Sequence, residues 1–247
     1  MINQERPETH EIEMEDTPEQ RAAFHISIFG TGGEKTPEDQ AAVQHAEQLA
    51  RDVVGRGFSI ATGGFDVGVM KAATRAAVEE GKKRGRTEAV AKGFTVEGIE
   101  LLPAPGAEIV KSKTLIERFG HLIDESQAYV VLGGRFGTIG EMIAAIDAEL
   151  VRMMPKEKPK PRPIIIVDST GEHLDTLLAT LEKDPRMREA EVLRYTYYFA
   201  GVKGWDEYTG RIIELYYKQS LGKTLSEDER ALLEKANLKT RYDVYAK

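Results

Sequence analysis

Short apolar runs alternate along this chain with longer stretches in which apolar residues recur every three or four positions. The first kind reads as buried strands and the second as amphipathic helices. The run His25-Ile-Ser-Ile-Phe29 enters Gly30-Thr-Gly-Gly33 and is followed by helical spacing over residues 37–54. Pro37 fits the first helical turn, where its missing N–H would have had no intrahelical partner. A second strand over 58–61 enters Thr62-Gly63-Gly64 and a helix over 67–83. Weaker patterns predict two short strands at 87–91 and 99–102 and a helix over 111–125. Tyr129-Val-Val-Leu132 is uninterrupted, as expected of a strand covered on both faces, and it runs into Gly133-Gly-Arg-Phe-Gly137. From Thr138 onward Ile139, Met142, Ile143, Ile146, Leu150 and Met153 share one helical face. Residues 155–163, rich in lysine and proline, predict a solvated loop ahead of a strand at 164–167 and a helix over 172–183.

Strands and helices in strict alternation, joined by short glycine turns, predict an α/β fold: a Rossmann-like parallel sheet with helices on both faces, as a single domain over residues 24–187. Residues 1–23 are acidic and without period and are expected to be a mobile arm. Residues 188–247 are expected to form a C-terminal extension, mainly helical, with a strand-like run at 192–199 and helices around 208–218 and 226–236. Ligands of such sheets sit at the carboxyl ends of the strands, where three of the glycine turns fall. The turn after residue 132 holds Gly133, Gly134 and Gly137, which tolerate positive φ and close approach of a ligand. Together with a helix N-terminus this arrangement suits a phosphate.

Composition narrows the chemistry. No cysteine is present, which excludes disulfides, thiolate catalysis and cysteine-ligated metals. Lys plus Arg number 34 and Asp plus Glu 41, so 34 − 41 = −7, a sign that disfavours nucleic acid as a partner. No apolar window is long enough to cross a membrane, and the acidic first residues lack a leader pattern, so a cytoplasmic location is expected. His10, His25, His45, His121 and His173 share no metal-ligand spacing, and no metal is expected. Neither a serine elbow nor a phosphate-loop lysine motif occurs.

Residues 25 to 183 resemble the Lonely Guy (LOG) family, whose signature Pro-Gly-Gly-x-Gly-Thr-x-x-Glu is met here by Gly133-Gly-Arg-Phe-Gly-Thr-Ile-Gly-Glu141. Gly134, Gly137, Thr138 and Glu141 match, and ungapped counting places the family's arginine at Arg118. The upstream glycine turn is echoed by Gly63-Gly-Phe-Asp-Val-Gly-Val-Met70. Gly133, Arg135, Phe119 and Phe65 stand where the family has proline, glycine, lysine and glycine. The resemblance implies hydrolysis of the N-glycosidic bond of a nucleoside 5′-monophosphate, without a cofactor, by a homodimer paired through the helix over 139–153. It implies catalytic roles for Glu141 and Arg118, phosphate binding by Gly133, Gly134, Arg135, Gly137 and Thr138, and sugar or base contacts from Gly30, Thr31, Gly63, Gly64 and Met70. A protein of the same fold that binds or senses the nucleotide without turnover is the alternative. Plainer roles stand beside these: Thr138-x-x-Glu141 also has capping-box spacing, and Arg118 lies where a surface arginine would snorkel. Arg135 either contacts phosphate or points into solvent, and Gly120 marks either close packing or a kink.

Overall fold

The computed structural model describes residues 14–153, 160–168, 174–181, 183, 192, 195–200 and 205–236. Seven strands form one parallel sheet: β1 (His25–Gly30), β2 (Ser59–Thr62), β3 (Ala91–Val96), β4 (Glu108–Ser112), β5 (Ala128–Leu132), β6 (Ile164–Asp168) and β7 (Thr196–Ala200). Their order is β4-β3-β2-β1-β5-β6-β7, so the winding reverses beside β1. A crevice opens at the carboxyl ends of the strands at such a reversal.

The described helices are α1 (Pro18–Ala22), α2 (Pro37–Gly55), α3 (Gly68–Lys83), α4 (Leu115–Asp124), α5 (Phe136–Arg152), α6 (Asp175–Leu181), α7 (Trp205–Ser220) and α8 (Glu227–Ala236). Strand side chains alternate between the two faces. Ile26, Ile28, Val130, Leu132, Ile165 and Val167 join a core with α2, α3 and α7. Phe29, Tyr129, Val131, Ile164 and Ile166 join a second core with α4, α5 and α6. A strand that feeds both cores has no polar face, which is why Tyr129-Val-Val-Leu132 reads as a continuous apolar run. No described helix is long and apolar enough to cross a membrane.

Several predicted boundaries are corrected. The strands expected at 87–91 and 99–102 are instead Ala91–Val96 and Glu108–Ser112. Lys92 and Gly93 interrupt the apolar pattern of the first, while Ile99, Leu101 and Leu102 are exposed loop residues. In that loop the Asp66 amide donates to the Leu102 carbonyl at 2.8 Å. The helix expected over 111–125 begins only at Leu115, because residues up to Ser112 pair with β3 and the Thr114 side chain caps the helix. Residues 14–23, expected in a mobile arm, instead dock: Thr17 and Gln20 make a capping box for α1, and Arg21 pairs with Asp16 at 2.6 Å and with Glu214 of α7 at 2.8 Å. The C-terminal residues do not hang off the domain. β7 adds to the sheet beside β6, and Ile212, Ile213 and Tyr217 of α7 enter the core against α2 and β2. In the expected solvated loop, residues 154–159 lie outside the described residues, and Arg162 turns inward to donate to the Ser126 carbonyl at 2.6 Å and the Tyr129 hydroxyl at 2.7 Å.

Candidate functional site

The turns that follow β1, β2 and β5 meet over the crevice and line a cavity of about 260 Å3. Gly30, Thr31, Gly63, Met70, Arg118, Arg135, Gly137, Thr138 and Glu141, all singled out from sequence, line it. Gly64, Gly133 and Gly134 do not; they shape the turns from outside the lining. Gly64, at φ +77°, lies with its missing Cβ only 2.8 Å from the Gly93 backbone. Gly134, at φ +131°, has its Cβ direction filled by Thr138 Oγ1 at 2.4 Å, so a side chain there would force the turn apart.

Helix N-termini carry amides with no intrahelical acceptor, and what satisfies them differs among the three helices around the cavity. At α2, Thr36 and Asp39 form a reciprocal capping box. At α3, the Glu34 carboxylate reaches over from the first turn to accept from the Gly68 amide at 3.0 Å. At α5, the N-cap is Arg135, which has no capping oxygen, and the first backbone bond is Ile139 N–H to the Arg135 carbonyl at 3.0 Å. Among the described residues no side chain caps α5. Gly137 and Thr138 of its first turn line the cavity, which brings the positive end of the helix dipole to the cavity wall.

An ion pair joins the same lining just past the first turn of α5. Arg118 of α4 is buried, donating from Nε to the Phe94 carbonyl at 2.7 Å and from Nη1 to Glu141 Oε1 at 3.1 Å. The snorkelling role is thereby excluded for Arg118. The capping-box role is excluded for Glu141, because α5 starts at Phe136 and the carboxylate turns to the arginine. Burial pushes the Glu141 carboxyl above the ordinary carboxylate range, with the Arg118 guanidinium pulling the other way. Phe119, in the family's lysine position, places its ring 5.9 Å from the Arg118 guanidinium.

Arg135 neither caps α5 nor hangs free. Its Nη2 lies 3.0 Å from Asp39 Oδ2, tying the β5 turn to the start of α2. Asp39 is nearly buried and also accepts from the Thr31 hydroxyl at 2.9 Å and the Thr36 amide at 3.3 Å. Burial raises the Asp39 carboxyl, but these hydrogen bonds and the Arg135 charge outweigh it and hold the group below its ordinary value. Sequence inspection missed Asp39 and Glu34. The only local sign of Asp39 was its capping-box spacing from Thr36; Glu34 gave none, since its partner Gly68 is distant in the chain. The cavity also takes apolar walls from Phe65, Val96, Ile99 and Leu115, which sequence did not indicate.

A family model described as possible lysine decarboxylase matches residues 70–197, a span that includes Arg118 and Glu141. The cytokinin riboside 5′-monophosphate phosphoribohydrolase of Mycobacterium tuberculosis (strain ATCC 25618 / H37Rv) is 30% identical over 146 residues, covering 59% of this chain and 72% of that protein. Among solved structures, the molybdenum cofactor carrier protein of Chlamydomonas reinhardtii is similar with a TM-score of 0.53 at 17% identity, covering 77% of this chain and 98% of that one. A structural-genomics target protein is similar with a TM-score of 0.54 at 20% identity, with the same coverage of 77% and 98%. These two likenesses speak for the fold alone.

Proposed function

From the premise that the chain belongs to the family described as possible lysine decarboxylase, the LOG family, we propose that it hydrolyses the N-glycosidic bond of a nucleoside 5′-monophosphate in the cytoplasm, releasing free base and ribose 5-phosphate. The observation that carries this is that one cavity is lined both by the uncapped first turn of α5 and by the buried Arg118–Glu141 pair. The phosphate seats on the opening amides of α5, with Gly133 and Gly134 shaping the turn, Thr138 offering its hydroxyl and Arg135 at the edge. The ribose then lies toward Glu141, and Gly30, Thr31, Gly63 and Met70 border sugar and base.

Cleavage of such a bond develops positive charge at the anomeric carbon, so a carboxylate held at the sugar stabilises the transition state more than the ground state. Glu141 takes a proton from the attacking water as the oxygen bonds to the anomeric carbon. The C–N bonding pair leaves with the base, and the proton passes to the base nitrogen. Arg118 fixes the carboxylate and favours its ionised form against the effect of burial. Incubating the protein with a panel of nucleoside monophosphates and following free base tests the proposal. Binding without base release favours the second reading, a nucleotide-sensing protein, for which the supporting observation is Phe119, standing beside the Arg118 guanidinium in the family's lysine position.

We also propose a homodimer. Residues 136, 140, 143 and 151 share one face of α5 by helical spacing, and of these Phe136 is 92% exposed, Ile143 42% and Val151 54%. On α4, Ile116 is 83% exposed, and one turn later Gly120 faces open space. Among the described residues nothing packs on that glycine. Asp147 interrupts the α5 face, but exposed large apolar side chains gathered on two neighbouring helices are the ordinary mark of a protein interface.

A further inference from the structure

The Asp39 carboxylate lies behind a very thin wall. Thr31 and Gly33 line the cavity, and a Cβ on Gly33 would sit 2.5 Å from Asp39 Oδ2, so a single glycine separates this charge from the ligand space. A negative charge just behind the lining opposes an anion in the cavity. Arg135 is the cation set against it, and its circumstances leave it free to move. Its side chain is 68% exposed against 5% for Asp39, so the guanidinium end of the pair stands in solvent. Among the described residues only its Nη2 is engaged, and Asp39 keeps the Thr31 and Thr36 hydrogen bonds without it. Arg135 is also the N-cap of α5, adjacent in sequence to the amides proposed to hold the phosphate.

We propose that Asp39 is a specificity-determining residue: by opposing anions from behind Gly33 and holding Arg135, it makes a phosphate compete for the guanidinium and so tempers the pocket's affinity for phosphorylated ligands. The filter narrows the preference for a dianionic phosphate monoester over the uncharged nucleoside that Arg135 and the α5 amides create. It rests on the proposal above that the cavity takes a nucleoside monophosphate.

Titration calorimetry of the full chain with ribose 5-phosphate, above the second phosphate ionisation near about pH 6, tests it, with ribose as the uncharged control. Asp39→Asn removes the opposing charge, frees Arg135 and is expected to tighten ribose 5-phosphate binding by about 3- to 10-fold. Arg135→Met leaves Asp39 unshielded and is expected to weaken it by about 10- to 100-fold, the scale of a lost charge-assisted hydrogen bond. The double variant should bind more tightly than Arg135→Met alone. Weaker or unchanged binding by Asp39→Asn, or unchanged binding by Arg135→Met, overturns the filter while the site stands. A wild-type chain that takes up no ribose 5-phosphate overturns both.

Discussion

Gly63 has no side chain because Arg118 occupies the space one would need. A Cβ there would lie 2.1 Å from Arg118 Nη2 and 2.5 Å from Met70 Sδ. Both neighbours are ends of flexible side chains, so Gly63→Ala is expected to leave the melting temperature within a few degrees while displacing the guanidinium from Glu141. Misplacing a group by about 1 Å can cost about 100-fold in rate, and a drop of that size in base release with folding intact is the expected result. Glu141→Gln should lower base release by about 100- to 10,000-fold, the usual contribution of a positioned acid–base group. Because burial lifts the Glu141 carboxyl, activity should rise with pH along a limb above the usual glutamate value near about 4.3, and Arg118→Met should move that limb higher still. The sign for stability is opposite. A carboxyl raised in the folded state favours the fold most below its unfolded pKa, and that contribution is lost as pH rises through the folded value.

At the scale of elements, α4 and α5 carry the groups proposed for the chemistry, Arg118 and Glu141, and also the exposed Ile116, Phe136, Ile143 and Val151. Ile143→Glu should convert a dimer into a monomer in sedimentation; if the wild-type chain is itself a monomer, the proposed pairing is wrong. The β5–turn–α5 unit was legible in sequence because a strand buried on both faces leaves no polar position, and glycines mark the turn. Its finer structure was not legible. Thr138 and Glu141 have capping-box spacing, and only the observed start of α5 at Phe136 shows that the spacing is put to other use. The carboxylate that caps α3 was hidden for a different reason, since Glu34 and Gly68 come together only when β1 and β2 pair. β3 and β4 were misplaced because Lys92 and Gly93 dilute the one and the other lies at the sheet edge, while the apolar residues 99–102 serve an exposed loop.

In the whole molecule the two ends of the sheet divide the work. At the amino end of β5, Arg162 bonds the carbonyls of Ile123 and Ser126 and the Tyr129 hydroxyl, and lies 3.6 Å from the fully buried Glu149. Arg162→Met leaves that carboxylate with Arg152 at 3.5 Å and with the amide of residue 162, but takes the guanidinium from the Ile123 and Ser126 carbonyls, and is expected to cost about 1–3 kcal/mol in chemical unfolding, with KM unchanged. β7 pairs with β6 in the common sheet, and Ile212, Ile213 and Tyr217 of α7 are buried in the common core. Truncation at residue 187 removes β7 and α7 and uncovers both sheet and α2. Each large side chain stripped of cover forfeits about 1.5–3 kcal/mol, so several together rival the total stability of a domain, about 5–15 kcal/mol. The truncated chain is expected to show no cooperative unfolding transition.

The bare start of α5 has a consequence beyond catalysis. A solute that docks on those amides binds the native chain and not the unfolded one, so mass action adds about 2.7 kcal/mol when its concentration is a hundred times its Kd. In a cell, where quality control removes whatever transiently opens, the amount of this protein would then follow the supply of its own ligand, rising in plenty and falling in scarcity with no change in synthesis.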